Sequence, residues 1–243
     1  MALTVTTSDA WTAVVIGNSR HHWGVFHGAA LVQCWHLAPE DVLPPELRLV
    51  RDRECWGVSV GRTPLEQLSP NATRLSLADI PMPQLYPTLG LDRALALWGA
   101  LQVYGAPVCV VDAGTALTFT LADTAGAFAG GAILPGAGMM ARSLADGTAA
   151  LPLVPIPQQV PPRWAVTTPS AIESGLYFGI AAIVQSYLGA FYSHYPRGTV
   201  LITGGDRAFI ESLVATDFAG HAWHTDEHLA FWGIRAIRNQ QLR

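Results

Sequence analysis

A pattern of three short apolar runs separated by tight polar turns occurs twice in this chain, and few folds accommodate it. The first copy has runs at residues 11–16, 22–26 and 29–35, with turns at Gly17-Asn18-Ser19 and His27-Gly28. The second has runs at 108–111, 116–121 and 127–133, and its first turn is Asp112-Ala-Gly-Thr115. Runs of this length, rich in β-branched residues and closed by glycine turns, predict antiparallel meanders. Helix and strand patterns follow each meander. The order predicts an α/β protein built by internal duplication, with halves at 1–106 and 107–243 and a nucleotide cleft between them. The two copies share a pattern, not close sequence identity.

The tip around Asp112 has its own chemistry. Its carboxylate can hold a cation. Gly114 lets the backbone approach a phosphate, and Thr115 adds a hydroxyl. An ordinary hairpin with a solvated aspartate fits the same residues, so the rest of the chain has to decide.

Composition excludes several classes. The chain contains no lysine, and all 14 basic residues are arginine. A Walker-type phosphate loop, an ordinary protein kinase and Schiff-base chemistry all require lysine. The net charge is −4 with no basic stripe, which argues against a nucleic-acid partner. Half the residues are hydrophobic and 13% are charged, so burial of surface between subunits is expected. Cys34, Cys55 and Cys109 have no metal-ligand spacing and read as reduced thiols. The N-terminus lacks a leader pattern, and no run of about 18 apolar residues occurs. These features predict a cytoplasmic protein with no membrane segment. The polar residues 1–10 are expected to fray.

Between the meanders, 39–46 reads as a loop or helix start, 54–60 as a strand, 63–68 as a short helix and 73–77 as a short strand. The proline-rich 81–87 segment, which contains Tyr86, reads as an extended loop. Gly90-Leu91-Asp92-Arg93 leads into an Ala/Leu-rich helix at 94–104. There Asp92 suits the first turn, as a reactive carboxylate or merely as a cap beside a solvated Arg93. Gly136 and Gly138 precede a helix at 139–145, whose N-terminus is a natural anion site. Five prolines in 151–162 mark a loop or flap. Helical spacing runs over 169–191, where Gly175 and Gly179 predict close approach to a neighbouring backbone. A strand at 200–202 ends in Thr203-Gly-Gly205, a turn placed on the adenine side. Helices at 207–213 and 227–239 close the chain.

These blocks, in this order and over nearly the whole length, resemble the type III pantothenate kinases of the acetate/sugar kinase, Hsc70 and actin superfamily. The resemblance implies duplicated ribonuclease-H-like (actin-like ATPase) halves. It also implies transfer of the ATP γ-phosphoryl group to pantothenate, the first step of coenzyme A biosynthesis, by a homodimer. By resemblance, Asp92 is the general base. Tyr86, Gly90, Leu91, Asp92, Arg93 and Thr168 bind pantothenate. Gly17, Asn18, Ser19 and Thr115 bind ATP, and Asp112 holds a monovalent cation, K⁺ or NH₄⁺. Mg²⁺ accompanies ATP. The sequence departs from the family's first turn: Val15 stands where that turn begins with aspartate, and Ser19 replaces threonine. The spacing from Tyr86 to Gly90 is also short for the family.

Two other readings share these residues. One is a non-catalytic nucleotide-binding or regulatory relative, motivated by Val15. The other is a kinase of the same superfamily acting on a sugar or short acid. The eight histidines form no evident ligand set and read as surface or core residues. Trp98 and Trp232 read as core or interface residues, and Glu173 lies on the apolar helix near Thr168.

Overall fold

Residues 9–242 are described by a computed structural model. The fraying expected of the N-terminus falls on positions 1–8, outside the described residues, and on Asp9 and Ala10, of which Ala10 already lies in a strand. Strand β1 (Ala10–Ile16) is buried along its whole length. An uninterrupted apolar run of this kind belongs in the middle of a sheet covered on both faces. It pairs antiparallel with β2 (His21–His27), which pairs antiparallel with β3 (Ala30–Leu37). On its other side β1 runs parallel to β4 (Cys55–Ser59), and β4 runs parallel to the two-residue β5 (Thr73–Arg74). The sheet order is β3-β2-β1-β4-β5.

The second sheet repeats this plan. Strands β6 (Val108–Ala113), β7 (Ala116–Ala122) and β8 (Phe128–Pro135) form the meander. Strands β9 (Thr199–Thr203) and β10 (Ala222–Thr225) lie parallel beyond β6, giving the order β8-β7-β6-β9-β10. The duplication read from sequence pattern is therefore a duplication of topology.

The chain divides into two units. One runs to Val103 and resumes at His228; the other is Tyr104–Glu227. The closing helix α7 (Leu229–Gln241) is thus part of the first unit and packs on β1 and β4. The sequence division at 106/107 had placed this segment with the second half. Helix α7 meets α3 (Leu91–Tyr104) at two glycines. A Cβ on Gly99 would fall 1.9 Å from the Leu229 carbonyl oxygen, and one on Gly233 2.3 Å from that of Leu95. Only glycine allows this approach. Arg238 on α7 donates to both carboxylate oxygens of Glu54, at 2.6 and 2.9 Å, and its guanidinium lies over the Trp11 ring. Helices α1 (Pro45–Arg51) and α2 (Leu65–Leu68) complete this unit. Leu47 and Leu65 anchor them in a core with Val14, Ile16 and Trp23.

In the second unit, α5 (Thr168–His194) supplies Ile180, Val184, Leu188 and Phe191 to the core on the β6–β9 sheet. Helices α4 (Ala137–Gly147) and α6 (Arg207–Asp217) lie alongside. Helix α5 is long and apolar enough to cross a membrane by length and composition alone. Its apolar run from Leu176 to Val184 is broken by Gln185 and Ser186, and one face of it is core.

Three sequence expectations change. Gly175 and Gly179 were expected at a close backbone contact, but a Cβ at either would meet nothing within 4 Å. That role belongs to Gly99 and Gly233. The strand expected at 73–77 stops at Arg74. Ser76 turns its N–H and Oγ to the Asp79 carboxylate at 2.8 and 2.7 Å, starting a 3₁₀ turn at Leu77–Asp79. This local side-chain bonding competes with the ladder. The four-residue edge strand β10 was not foreseen, because Ala-Trp-His-Thr carries no clear alternation.

Candidate active site

The first unit's polar tip is the β1–β2 turn. The Gly17 N–H donates to the Arg20 carbonyl at 2.9 Å, which closes the turn and leaves Asn18 and Ser19 exposed. Gly61, just past β4, backs it: a Cβ there would lie 2.2 Å from the Gly17 carbonyl oxygen. The sequence reading missed Gly61, whose signal was its place two residues beyond a strand. His21, at the foot of the turn, is buried, and burial holds its imidazole below the ordinary value.

Asp92 sits in the first turn of α3, where its Oδ1 accepts the Arg93 N–H at 2.9 Å. A Cβ on Gly90 would fall 2.8 Å from that oxygen, so any larger residue there would shift the carboxylate. Arg93 is only 8% exposed, so the solvated alternative for this residue is excluded. Tyr86 lies in the preceding loop, where its carbonyl accepts from the Leu89 N–H at 3.0 Å; its side chain is 40% exposed. Tyr86 and Gly90–Arg93 thus form one continuous segment of the first unit.

In the second unit, Asp112 is the penultimate residue of β6, half-buried between Thr118 on β7 and Thr203 on β9. Thr118 Oγ1 is buried without a hydrogen-bond partner. Such an orphan in a row of oxygen donors fits a cation bound at Asp112. Gly204 follows Thr203 at φ +95°, and a Cβ there would fall 2.5 Å from Asp112 Oδ1. Thr115 is exposed at the hairpin apex, with Gly136 packed beneath: a Cβ on Gly136 would lie 2.1 Å from the Gly114 carbonyl oxygen. Gly136 also caps α4, so helix N–H groups and a hydroxyl share this end of the sheet.

Asp206, which caps α6, joins the same edge through its N–H on the Ala113 carbonyl at 2.8 Å. Burial pushes its carboxyl up, and the Arg142 charge pulls it back down. Asp206 lines a cavity of about 10 Å³ with Gly114 and Gly136, room for about one water. Arg142 lines a groove of about 400 Å³ between α4 and the proline-rich 153–156 stretch. The sequence reading passed over Asp206 and Arg142; the signal for the first was its position directly after Thr203-Gly-Gly205. Thr168 is exposed as the first residue of α5, capped by Thr167. The structure gathers Asp112, Thr115 and the Thr203-Gly-Gly205 turn at one end of the second sheet. Among the described residues, no three or more His, Cys, Asp or Glu side chains converge as a metal cluster.

Two five-stranded mixed sheets of identical order, each ending in a glycine-backed polar turn, define a duplicated α/β fold of the actin-like ATPase kind. Solved structures agree on the fold. An activator of the 2-hydroxyisocaproyl-CoA dehydratase from Clostridium difficile superimposes with a TM-score of 0.53 at 9% identity, covering 96% of this chain and 97% of that one. A Campylobacter jejuni protein described as a Baf family transcriptional activator reaches 0.65 at 20% identity, covering 95% and 98%. The sequence narrows this to one family. The type III pantothenate kinase family matches residues 67–189. The type III pantothenate kinase of Thermosynechococcus vestitus is 59% identical over 96% of this chain and 91% of its own length. The chain belongs to the type III pantothenate kinase family.

Proposed function

We infer that this protein phosphorylates pantothenate with ATP, opening coenzyme A synthesis. The observation that carries the reading is family membership over nearly the full length, joined to a retained Asp92 on a glycine-led helix start. The pantothenate hydroxyl oxygen attacks the γ-phosphorus, its proton passes to Asp92, and ADP departs. The Arg93 N–H fixes Asp92 Oδ1, which leaves Oδ2 to take the proton. Tyr86, Gly90, Leu91, Arg93 and Thr168 hold pantothenate, with Arg93 suited to its carboxylate.

Phosphoryl transfer needs positioning and charge neutralisation more than covalent help. With no lysine in the chain, backbone N–H groups and hydroxyls meet the phosphates, those of Gly17, Asn18, Ser19 and Thr115. Mg²⁺ bound to the ATP phosphates would supply further charge neutralisation. Asp112 holds K⁺ or NH₄⁺, a reading supported by its oxygen-rich row and the orphaned Thr118 hydroxyl.

The protein works in the cytoplasm as a homodimer. Cys34, Cys55 and Cys109 form no disulfide, which supports the first statement. Trp164 and Val166, 89% and 99% exposed ahead of α5, support the second, as apolar surface for another copy. No nucleic acid or membrane takes part.

The test is ADP release from Mg·ATP with and without pantothenate, in potassium and then in sodium buffer. Pantothenate-dependent release that needs potassium is expected. Release that ignores pantothenate but responds to a sugar or short acid would overturn the substrate. No release under any condition would leave a nucleotide-binding relative.

A further inference from the structure

The two sheets correspond strand for strand, so their rows can be compared. In the second unit the row through the penultimate residue of the first strand reads Ile133, Thr118, Asp112, Thr203. In the first unit it reads His36, His22, Val15, Val58. Valines stand at the places of Asp112 and Thr203, and the next two positions, held by Thr118 and Ile133 in the second unit, carry two imidazoles on adjacent strands, His22 and His36. Their Nδ1 atoms lie 2.6 Å apart, at the exposed side of the sheet, and the rings meet edge to face at 67°.

We propose that His22 and His36 form a chelating site for a late first-row divalent ion, Cu²⁺, Ni²⁺ or Zn²⁺, through their paired Nδ1 atoms. Imidazole nitrogens favour these ions, whereas Mg²⁺ takes oxygen. Metal–nitrogen bonds of about 2.0–2.1 Å place two ligand nitrogens about 3 Å apart. A small rotation of the exposed His36 ring opens the pair that far. Two protein ligands leave the other positions to water.

The proton balance is simple. A 2.6 Å contact between two ring nitrogens requires one to donate and the other to accept. On metal binding, the donor ring moves its proton from Nδ1 to Nε2, so a neutral pair releases none. A pair carrying one extra proton releases it to solvent. The site is chemically separate from Asp112 and independent of the pantothenate reading.

The pair also has a mechanical position. His22 is the cross-strand neighbour of Val15, and the Gly17–Ser19 turn joins their strands. The Arg20 guanidinium bonds the His36 carbonyl at 3.5 Å. A metal here ties β2 to β3 directly beside that turn.

Isothermal titration of the untagged full-length protein with CuCl₂ and ZnCl₂ tests the proposal, with MgCl₂ as the hard-ion control. One site per chain is expected for Cu²⁺ and Zn²⁺, with Cu²⁺ the tighter. H22Q and H36Q should each weaken it by roughly tenfold or more. C34S, on the same face one row away, should keep it, as should H194Q elsewhere. The d–d absorption of the Cu²⁺ complex should shift in H36Q, a readout unrelated to activity. Absence of binding by the wild type, full affinity in both histidine variants, or loss in C34S instead would overturn the proposal. Circular dichroism of each variant confirms that the exposed substitutions leave the fold intact.

Discussion

Val15 and Asp112 occupy the same position in the two units, each the penultimate residue of a central strand whose next turn is polar. One is a buried apolar side chain, 6% exposed; the other is a half-buried carboxylate. The duplicated frame has therefore kept its charge on one side only. A glycine backs each turn, Gly61 behind Gly17 and Gly204 behind Ala113, so the close backbone geometry is common to both units although the carboxylate is not.

Asp112 should accordingly carry the cation dependence. Replacing it with alanine removes the charged donor and leaves the Thr118 hydroxyl with no ion to serve. Turnover of D112A is expected to become insensitive to exchanging potassium for sodium. Rates measured in the two buffers check this, and an unchanged potassium requirement would place the ion elsewhere.

Asp92→Asn keeps the shape of the helix start and still offers an oxygen to the Arg93 N–H, but it cannot take the hydroxyl proton. The expected loss in kcat is about 10²–10⁴-fold. ATP affinity, read by nucleotide titration, should stay near wild type. Near-normal turnover would remove Asp92 as the base.

Much of this was legible because it rests on local pattern. Both meanders, the Asp112 hairpin and the Gly90–Arg93 helix start follow from apolar runs and glycine positions. What escaped was decided by distant neighbours. Gly99 and Gly233 lie far apart in sequence, and only the crossing of α3 and α7 explains both. Gly175 and Gly179 looked alike on paper, yet among the described residues nothing comes within 4 Å of a Cβ built at either. The burial of Arg93 and the pairing of His22 with His36 depend on which residues a fold brings beside them, and no spacing rule reports that.

The Glu54–Arg238 pair gives a stability prediction with a definite sign. The hydrogen bond from Arg238 holds the Glu54 carboxyl below its usual range, against the opposing effect of partial burial. A carboxylate whose folded pKa is depressed stabilises the protein above its unfolded pKa, and that stability is lost as pH falls through the folded value. Because Glu54 is partly solvated, the contribution near pH 7 is about 1 kcal/mol. Glu54→Gln should therefore lower Tm by about 2–4 °C at neutral pH. The gap from wild type should close as the pH drops below about 4. Thermal melts across that range check it, and a gap independent of pH would mean that the loss comes from the hydrogen bond that Trp56 Nε1 donates to Glu54, not from the charge.

Val15→Asp places a carboxylate in the first unit's row, and its outcome sets two effects against each other. The side chain would point where Val15 now packs in a fully buried strand, with Val58 on one side and His22 on the other. Burying a charge there costs stability unless it is paired, so Tm should fall. His22, its cross-strand neighbour, can supply part of that pairing as an imidazolium. The new oxygen would stand at the start of the Gly17–Ser19 turn, and the expected gain is tighter Mg·ATP, read as a lower KM for ATP at fixed pantothenate. A lower Tm together with a lower KM would show that the missing carboxylate limited nucleotide binding. A lower Tm with unchanged KM would mean that the backbone N–H groups of the turn, with the cation at Asp112, already meet the phosphate charge.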